Sequence, residues 1–96
     1  VSILPMEHVP KAIVSRDTRG IVKLVADSKT DLLLGAHIAA PEAGEMIQTA
    51  VFAIRFGLKV HELRETMFSY LTNSEAIKLA VLSFDREVGK LSCCAG

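Results

Sequence analysis

Tryptophan is absent from this 96-residue sequence, its aromatic side chains are four phenylalanines and one tyrosine, and no cysteine occurs before residue 93. Each scarcity excludes something. Without spaced cysteines there is no disulfide framework, so a hydrophobic core alone must hold a fold near the lower size limit for such a core. Eleven basic residues offset eleven acidic ones, which removes the electrostatic footprint of a nucleic-acid or anionic-membrane partner. The longest apolar runs, "LLLGAHIAA" and "AVFAI", fall far short of the roughly 20 residues of a membrane span. The opening "VSILPMEHVP" has neither the basic start nor the apolar core of a secretory leader. The expected location is cytoplasmic. The chain also opens without methionine and as if in mid-strand, which reads as part of a longer protein.

What is present is aliphatic. Half the residues are hydrophobic, the composition of a compact domain rather than a disordered chain. "KAIVSRD" and "GIVKLVAD" read as two β-runs joined in a hairpin. In the second run, Ile21, Lys23 and Val25 share one face, and Lys23 makes that face half wet. The polar "DSKTD" leads into "LLLGAHIAAP", nearly continuous in apolar residues as a more buried strand would be, with Gly35 marking a bulge or close backbone approach. Three strands joined by short turns predict an antiparallel sheet.

Helical spacing follows. Ala43, Met46, Ile47, Ala50, Val51 and Ile54 form one stripe of a helix over 42–56, with Pro41 at its first position and Gly57 at its end. Phe52, Ala53 and Phe56 add a second apolar face, which predicts a symmetric homodimer. A short helix is expected around "HELRETM". Another begins at "TNSE", where Thr72 and Glu75 have capping-box spacing, and buries Ala76, Ile77, Ala80, Val81 and Phe84. "DREVGKL" reads as a last helical turn. Strands first and helices after, without βαβ alternation, give an α+β class: a small antiparallel sheet packed against helices. The expected domain is 1–88, with 89–96 a flexible tail.

That tail holds Cys93 and Cys94, side by side. Adjacent α-carbons sit about 3.8 Å apart, whereas disulfides favour about 4.4–6.8 Å, and a bridge here would close no useful loop. A redox-labile pair, a pair of soft-metal ligands and chance remain open on the residues alone.

"GIVKLVAD", "LLGAHIAAPEAGEMIQTAVFAIRFGL" and "LTNSEAIK" resemble the C-terminal dimerisation domain of the flavin-dependent pyridine nucleotide–disulfide oxidoreductases. Most of that family carries His-Pro-Thr-x-x-Glu where this chain has "YLTNSE". In the family the histidine is the acid/base partner of a cysteine pair in the opposite subunit, and the glutamate orients it. Here Tyr70 stands at the histidine position and Leu71 at the proline, while Thr72 and Glu75 match. With "LPMEHVPKAIVSRDTRG", "FSYLT" and "LSCCAG", the chain is similar to the branch of the family that reduces mercury(II). The resemblance implies a homodimer in which Cys93 and Cys94 capture Hg2+ and pass it to a buried cysteine pair beside the flavin of the other subunit. It implies FAD and NADPH as cofactors of the longer enzyme. This chain has no glycine-rich dinucleotide fingerprint and no Cys-x4-Cys pair, so it should bind neither cofactor and should be inactive alone.

Chemistry agrees with the resemblance, since soft thiolates are the ligands that capture a soft cation. The five residue steps from Gly89 to Cys94 span at most about 17 Å, enough to swing between the surface and a nearby cleft. Tyr70 reads either as a buried aromatic with a satisfied hydroxyl or as a residue lining the mercury site. With an ordinary pKa near 10, tyrosine cannot replace histidine as a base at neutral pH. Glu75 reads either as a capping glutamate or as a catalytic group. His8, His37 and His61 lack metal-ligand spacing and read as structural. The competing functional reading is a free-standing soft-metal binding module without redox turnover.

Overall fold

Three strands open the computed structural model, which describes residues 1–84: β1 (Ser2–Pro5), β2 (Ile21–Ala26) and β3 (Leu33–Ala39). The expected boundary at 88/89, the helical turn expected over 85–91, and Cys93 and Cys94 lie outside the described residues. The strands form one antiparallel sheet in the order β1-β2-β3. Alternation sorts their side chains cleanly. Leu4, Val22 and Ile38 are in register on one face, as are Ser2, Leu24 and Ala36; this is the core face. Ile3, Lys23 and His37 align on the opposite face, where Ile21 is exposed and Lys23 half-buried. Gly35 does adjoin a bulge. Val25 pairs with Gly35 and Ala26 with Leu33, so Leu34 is the extra residue.

The hairpin between "KAIVSRD" and "GIVKLVAD" does not form. Residues Pro10–Val14 are a short helix, α1, and the first strand lies earlier, in "SILP". The reason is proline chemistry. Pro10 restricts Val9 to extended backbone and is itself preset for a first helical position. Arg16, with φ of 58°, then ends the helix in a Schellman pattern: the Asp17 and Arg16 amides donate to the carbonyls of Ala12 and Ile13 at 3.0 and 3.1 Å. β1 ends in Pro5, which is tolerated because β1 is an edge strand.

Helix α2 (Ala43–Arg55) starts one residue later than expected. Pro41 is outside it, because Glu42 adopts left-handed backbone at φ 65° before the first turn. Its end is as expected: Gly57, at φ 65°, and Leu58 return their amides to Ile54 and Ala53 at 3.3 and 2.9 Å. Its buried stripe is rotated from the expected one. Met46, Ala50 and Ala53 are buried, Ile47 is half-buried, and Val51 and Ile54 are exposed. Helix α3 (Val60–Glu65) and helix α4 (Glu75–Leu82) follow among the described residues. α2 packs on β3, α4 packs on β1 and β2, and α3 packs on α4. α4 is buried nearly all round, including Leu79, which the expected stripe had omitted. Ser2 ties the layers together, its Oγ donating to the Ala80 carbonyl at 2.6 Å.

No described helix is long and apolar enough to cross a membrane.

Candidate functional site

The loop from Thr66 to Ser74, with Glu75 at the start of α4, carries "YLTNSE". Its two flanking helices come from ordinary local rules. α3 begins where the backbone of 31–33 pairs with that of 58–60: Val60 donates to the Asp31 carbonyl at 2.7 Å, and Leu33 donates to the Leu58 carbonyl at 3.2 Å. The Lys59 amide donates to Glu62 Oε1 at 2.9 Å, half of a capping box. Asp31 adds a cap that no local motif announces. Its Oδ2 accepts the His61 amide at 3.1 Å and lies 3.1 Å from His61 Nδ1. The His61 amide bond, opposed slightly by burial and aided by the His61 ring and the Arg64 charge, holds the Asp31 carboxyl below its ordinary 3.8. His61 therefore belongs to the frame of α3. His37 lies exposed on the open sheet face, and His8 lies in the turn after β1, 3.7 Å from Glu7.

Ser74, the residue before α4, makes no side-chain cap bond; the expected Thr72–Glu75 pattern lies in the turn that leads into the helix. Thr72 Oγ1 accepts the Glu75 amide at 3.3 Å, as a capping box requires. The return bond differs: Glu75 Oε1 accepts from the Leu71 amide at 3.3 Å, one residue before the usual partner. The shift goes with the left-handed backbone of Leu71, at φ 62°, which is unusual for a bulky side chain. Glu75 is only 5% exposed, so its carboxylate is committed to this turn. Thr72 Oγ1 also donates to the Ser69 carbonyl at 2.8 Å.

Between these anchors the loop presents its side chains outward. Tyr70 is 66% exposed, outside the core of this chain, and Met67 in the same loop is 93% exposed. Phe68 turns inward, half-buried against the core. The structure thus brings Tyr70 and Glu75 into one turn, the first exposed and the second buried. Lys78, missed by sequence reasoning, reaches the same loop from α4. Its Nζ donates to the carbonyls of Arg64 and Thr66, the latter at 2.6 Å. Burial pushes its ammonium below the ordinary 10.5. A lysine three residues beyond a capping glutamate was the only signal available, and it is a common one.

Among the described residues no group of three or more His, Cys, Asp or Glu is arranged to hold a metal ion. Their sheet is antiparallel, unlike the unit of parallel strand, glycine-rich turn and helix N-terminus in a dinucleotide fold.

One further surface stands out. Phe52 on α2 and Phe56, the residue that caps its C-terminus, stack with ring centroids 6.3 Å apart, yet they are 55% and 69% exposed. With exposed Val51 and Ile54 they form a set of uncovered apolar side chains interspersed with exposed Glu45, Gln48 and Arg55.

The family of the pyridine nucleotide-disulphide oxidoreductase dimerisation domain matches residues 1–81. Among relatives, the mercuric reductase of Bacillus cereus is 58% identical over 99% of this chain, that of Lysinibacillus sphaericus 53% over 99%, and that of Streptomyces lividans 53% over 97%. The chain spans 15%, 17% and 20% of those proteins. Among solved structures, LpdA from Mycobacterium tuberculosis superposes with a TM-score of 0.80 at 27% identity, over 88% of this chain and 18% of that one. The HOCl-induced flavoprotein disulfide reductase RclA from Escherichia coli gives 0.78 at 32%, over 83% of this chain and 18% of that one. With its antiparallel sheet, its helical cover and its Thr72–Glu75 turn, the chain belongs to the dimerisation-domain family of the pyridine nucleotide-disulphide oxidoreductases.

Proposed function

We propose that this chain is the C-terminal portion of a mercuric reductase, which reduces Hg(II) to Hg(0) with NADPH through FAD. The observation that carries the reading is identity of 47–58% to mercuric reductases across 97–99% of the chain. Residues 1–88 form the domain that joins two subunits, and residues 89–96 carry the capture pair. FAD and NADPH are held by parts of the enzyme other than these residues, and mercury is the substrate. Cys93 and Cys94 take Hg(II) from solution as two soft thiolates and pass it by ligand exchange to the redox cysteine pair of the other subunit. Tyr70 is displayed toward that site, where its phenol oxygen can ligate the ion weakly or orient it. Glu75 serves Tyr70 from beneath by fixing the Leu71 amide.

The capture step has a direct test in the 96-residue chain itself. Hg(II) should bind far more tightly than Zn(II), because two soft ligands suit mercury whereas zinc prefers four. Binding should consume both thiols and release protons, since thiols of ordinary pKa near 8.5 must ionise to ligate. Cys93→Ala with Cys94→Ala should abolish tight Hg(II) binding and leave the melting temperature unchanged. Comparable Zn(II) affinity, or Hg(II) binding that survives the double substitution, would leave a relay without support.

The dimer reading rests on α2. An exposed aromatic pair with aliphatic neighbours matches the anchors of an isologous interface. Phe52→Glu should convert dimer to monomer at micromolar concentration, a loss of about 2 kcal/mol or more in association. It should leave monomer folding intact, because Phe52 is outside the core. Analytical ultracentrifugation decides it: a strict monomer for the unsubstituted chain at high micromolar concentration rules the interface out.

A further inference from the structure

Two side chains of opposite charge on one face of α4, three residues apart, fasten the two ends of the loop that displays Tyr70. Glu75 takes the Leu71 amide at the C-terminal end. Lys78 takes the Arg64 and Thr66 carbonyls at the N-terminal end. Thr66 is itself tied back to α3, its Oγ1 donating to the Glu62 carbonyl at 2.7 Å. Every residue from Thr66 to Leu71 is therefore suspended between two anchors on a helix that is buried nearly all round.

Left-handed backbone at a bulky residue such as Leu71 costs on the order of 1–3 kcal/mol and persists only where its surroundings over-determine it. One hydrogen bond from Glu75 constrains only one end of the span. The second constraint is supplied by Lys78, which also meets the carbonyl end of α3, where a cation is favoured by the helix dipole. Burial lowers the pKa of its ammonium, and the two carbonyls take the place of part of its hydration. A lysine used only for solubility would keep its head group in solvent.

We propose that Lys78 is a positioning residue for Tyr70, holding the end of α3 at a fixed distance from the start of α4 so that the phenol is presented in one place. The role of Tyr70 toward mercury rests on the function proposed above; the clamp itself does not. Tyr70 is the sole tyrosine of a chain without tryptophan, so intrinsic fluorescence of the 96-residue chain reports this side chain alone. Time-resolved anisotropy should show the amplitude of fast depolarisation at least doubled in Lys78→Met and returned most of the way in Lys78→Arg. Ser2→Ala, which removes the hydrogen bond to Ala80 on the same helix without touching the loop, should leave it unchanged. If Lys78→Met fails to fold, Lys78→Gln is measured in its place. Unchanged anisotropy in a folded Lys78 variant, or an equal rise in Ser2→Ala, overturns the clamp. In the full-length reductase, Lys78→Met should lower kcat and not raise KM, and should cost nothing further when added to Tyr70→Phe. Additive losses overturn positioning through Tyr70. An inert Tyr70→Phe with a mobile Tyr70 in Lys78→Met would instead refute the mercury role and keep the clamp.

Discussion

Tyr70→Phe in the full-length reductase is expected to lower kcat by about tenfold to a hundredfold, equivalent to about 1.4–2.8 kcal/mol of transition-state stabilisation. The factor should be the same whichever thiol complex presents mercury. The phenol is proposed to act after the ion has arrived, and by then its original ligands have gone. Cys93→Ala with Cys94→Ala should behave differently. Capture precedes chemistry, so the double substitution should reduce mainly kcat/KM. The loss should be largest for a bulky or strongly chelating thiol complex and smallest for a small ligand that can diffuse in directly. Steady-state kinetics of both variants with two mercury–thiol complexes of different size separates the two roles. Equal proportional losses for both variants on both complexes would collapse the two stages into one.

Gly20→Ala should be the most damaging single methyl group in the described fold. Gly20 sits at φ 106°, and an added Cβ would lie 1.8 Å from the Ala39 carbonyl oxygen. The obstacle is backbone in the adjacent strand, so no rotamer change relieves it. The Gly20 carbonyl also accepts the Met6 amide at 2.9 Å, which ties the turn after β1 to the start of β2. A loss of at least about 3 kcal/mol is expected from combined strain and clash, against a total of about 5–14 kcal/mol for a domain of this length. Gly44→Ala is the counterpart. A Cβ there meets nothing within 4 Å, and replacing a helical glycine by alanine should stabilise by about 0.5–1 kcal/mol. Urea unfolding of the two variants should shift the midpoint in opposite directions. A Gly20→Ala chain as stable as the unsubstituted one would mean that the β2–β3 register at Ala39 is wrong.

Elements with strong local periodicity were legible in the sequence. β2 and β3 followed from alternating or continuous aliphatic runs, and the end of α2 followed from Gly57. The misread element, "KAIVSRD", has β-branched residues but is governed by Pro10 at its start and by Arg16 in left-handed backbone at its end; propensity gave way to boundary chemistry. β1 was legible only as an opening in mid-strand, because a four-residue edge strand ending in proline has too little pattern to fix its bounds. The stripe of α2 was rotated because apolar residues occupy more of its circumference than the core covers. In the site, Thr72 and Glu75 were visible as a spacing. The Leu71 amide as Glu75's partner was not, since it depends on a backbone angle. Asp31 with His61, and Lys78 with Arg64 and Thr66, join residues 30, 14 and 12 positions apart, and no local rule reaches that far.

The hydrogen bond from Ser2 to the Ala80 carbonyl spans 78 positions, and that separation bears on how the chain acquires its structure during synthesis. β1 and β2 can pair early, but the surface formed by Leu4, Val22 and Leu24 stays open to water until α4 arrives. The entropy of closing that long loop must be met before its contacts return anything, so the docking of α4 on β1 is expected to be slow. A ribosome that stalls before residue 80 releases a product with its core face uncovered, the kind of surface that chaperones and proteases engage. Completeness is thus checked by the fold itself: the cell can distinguish a finished domain from a shortened one by whether its first strand is covered.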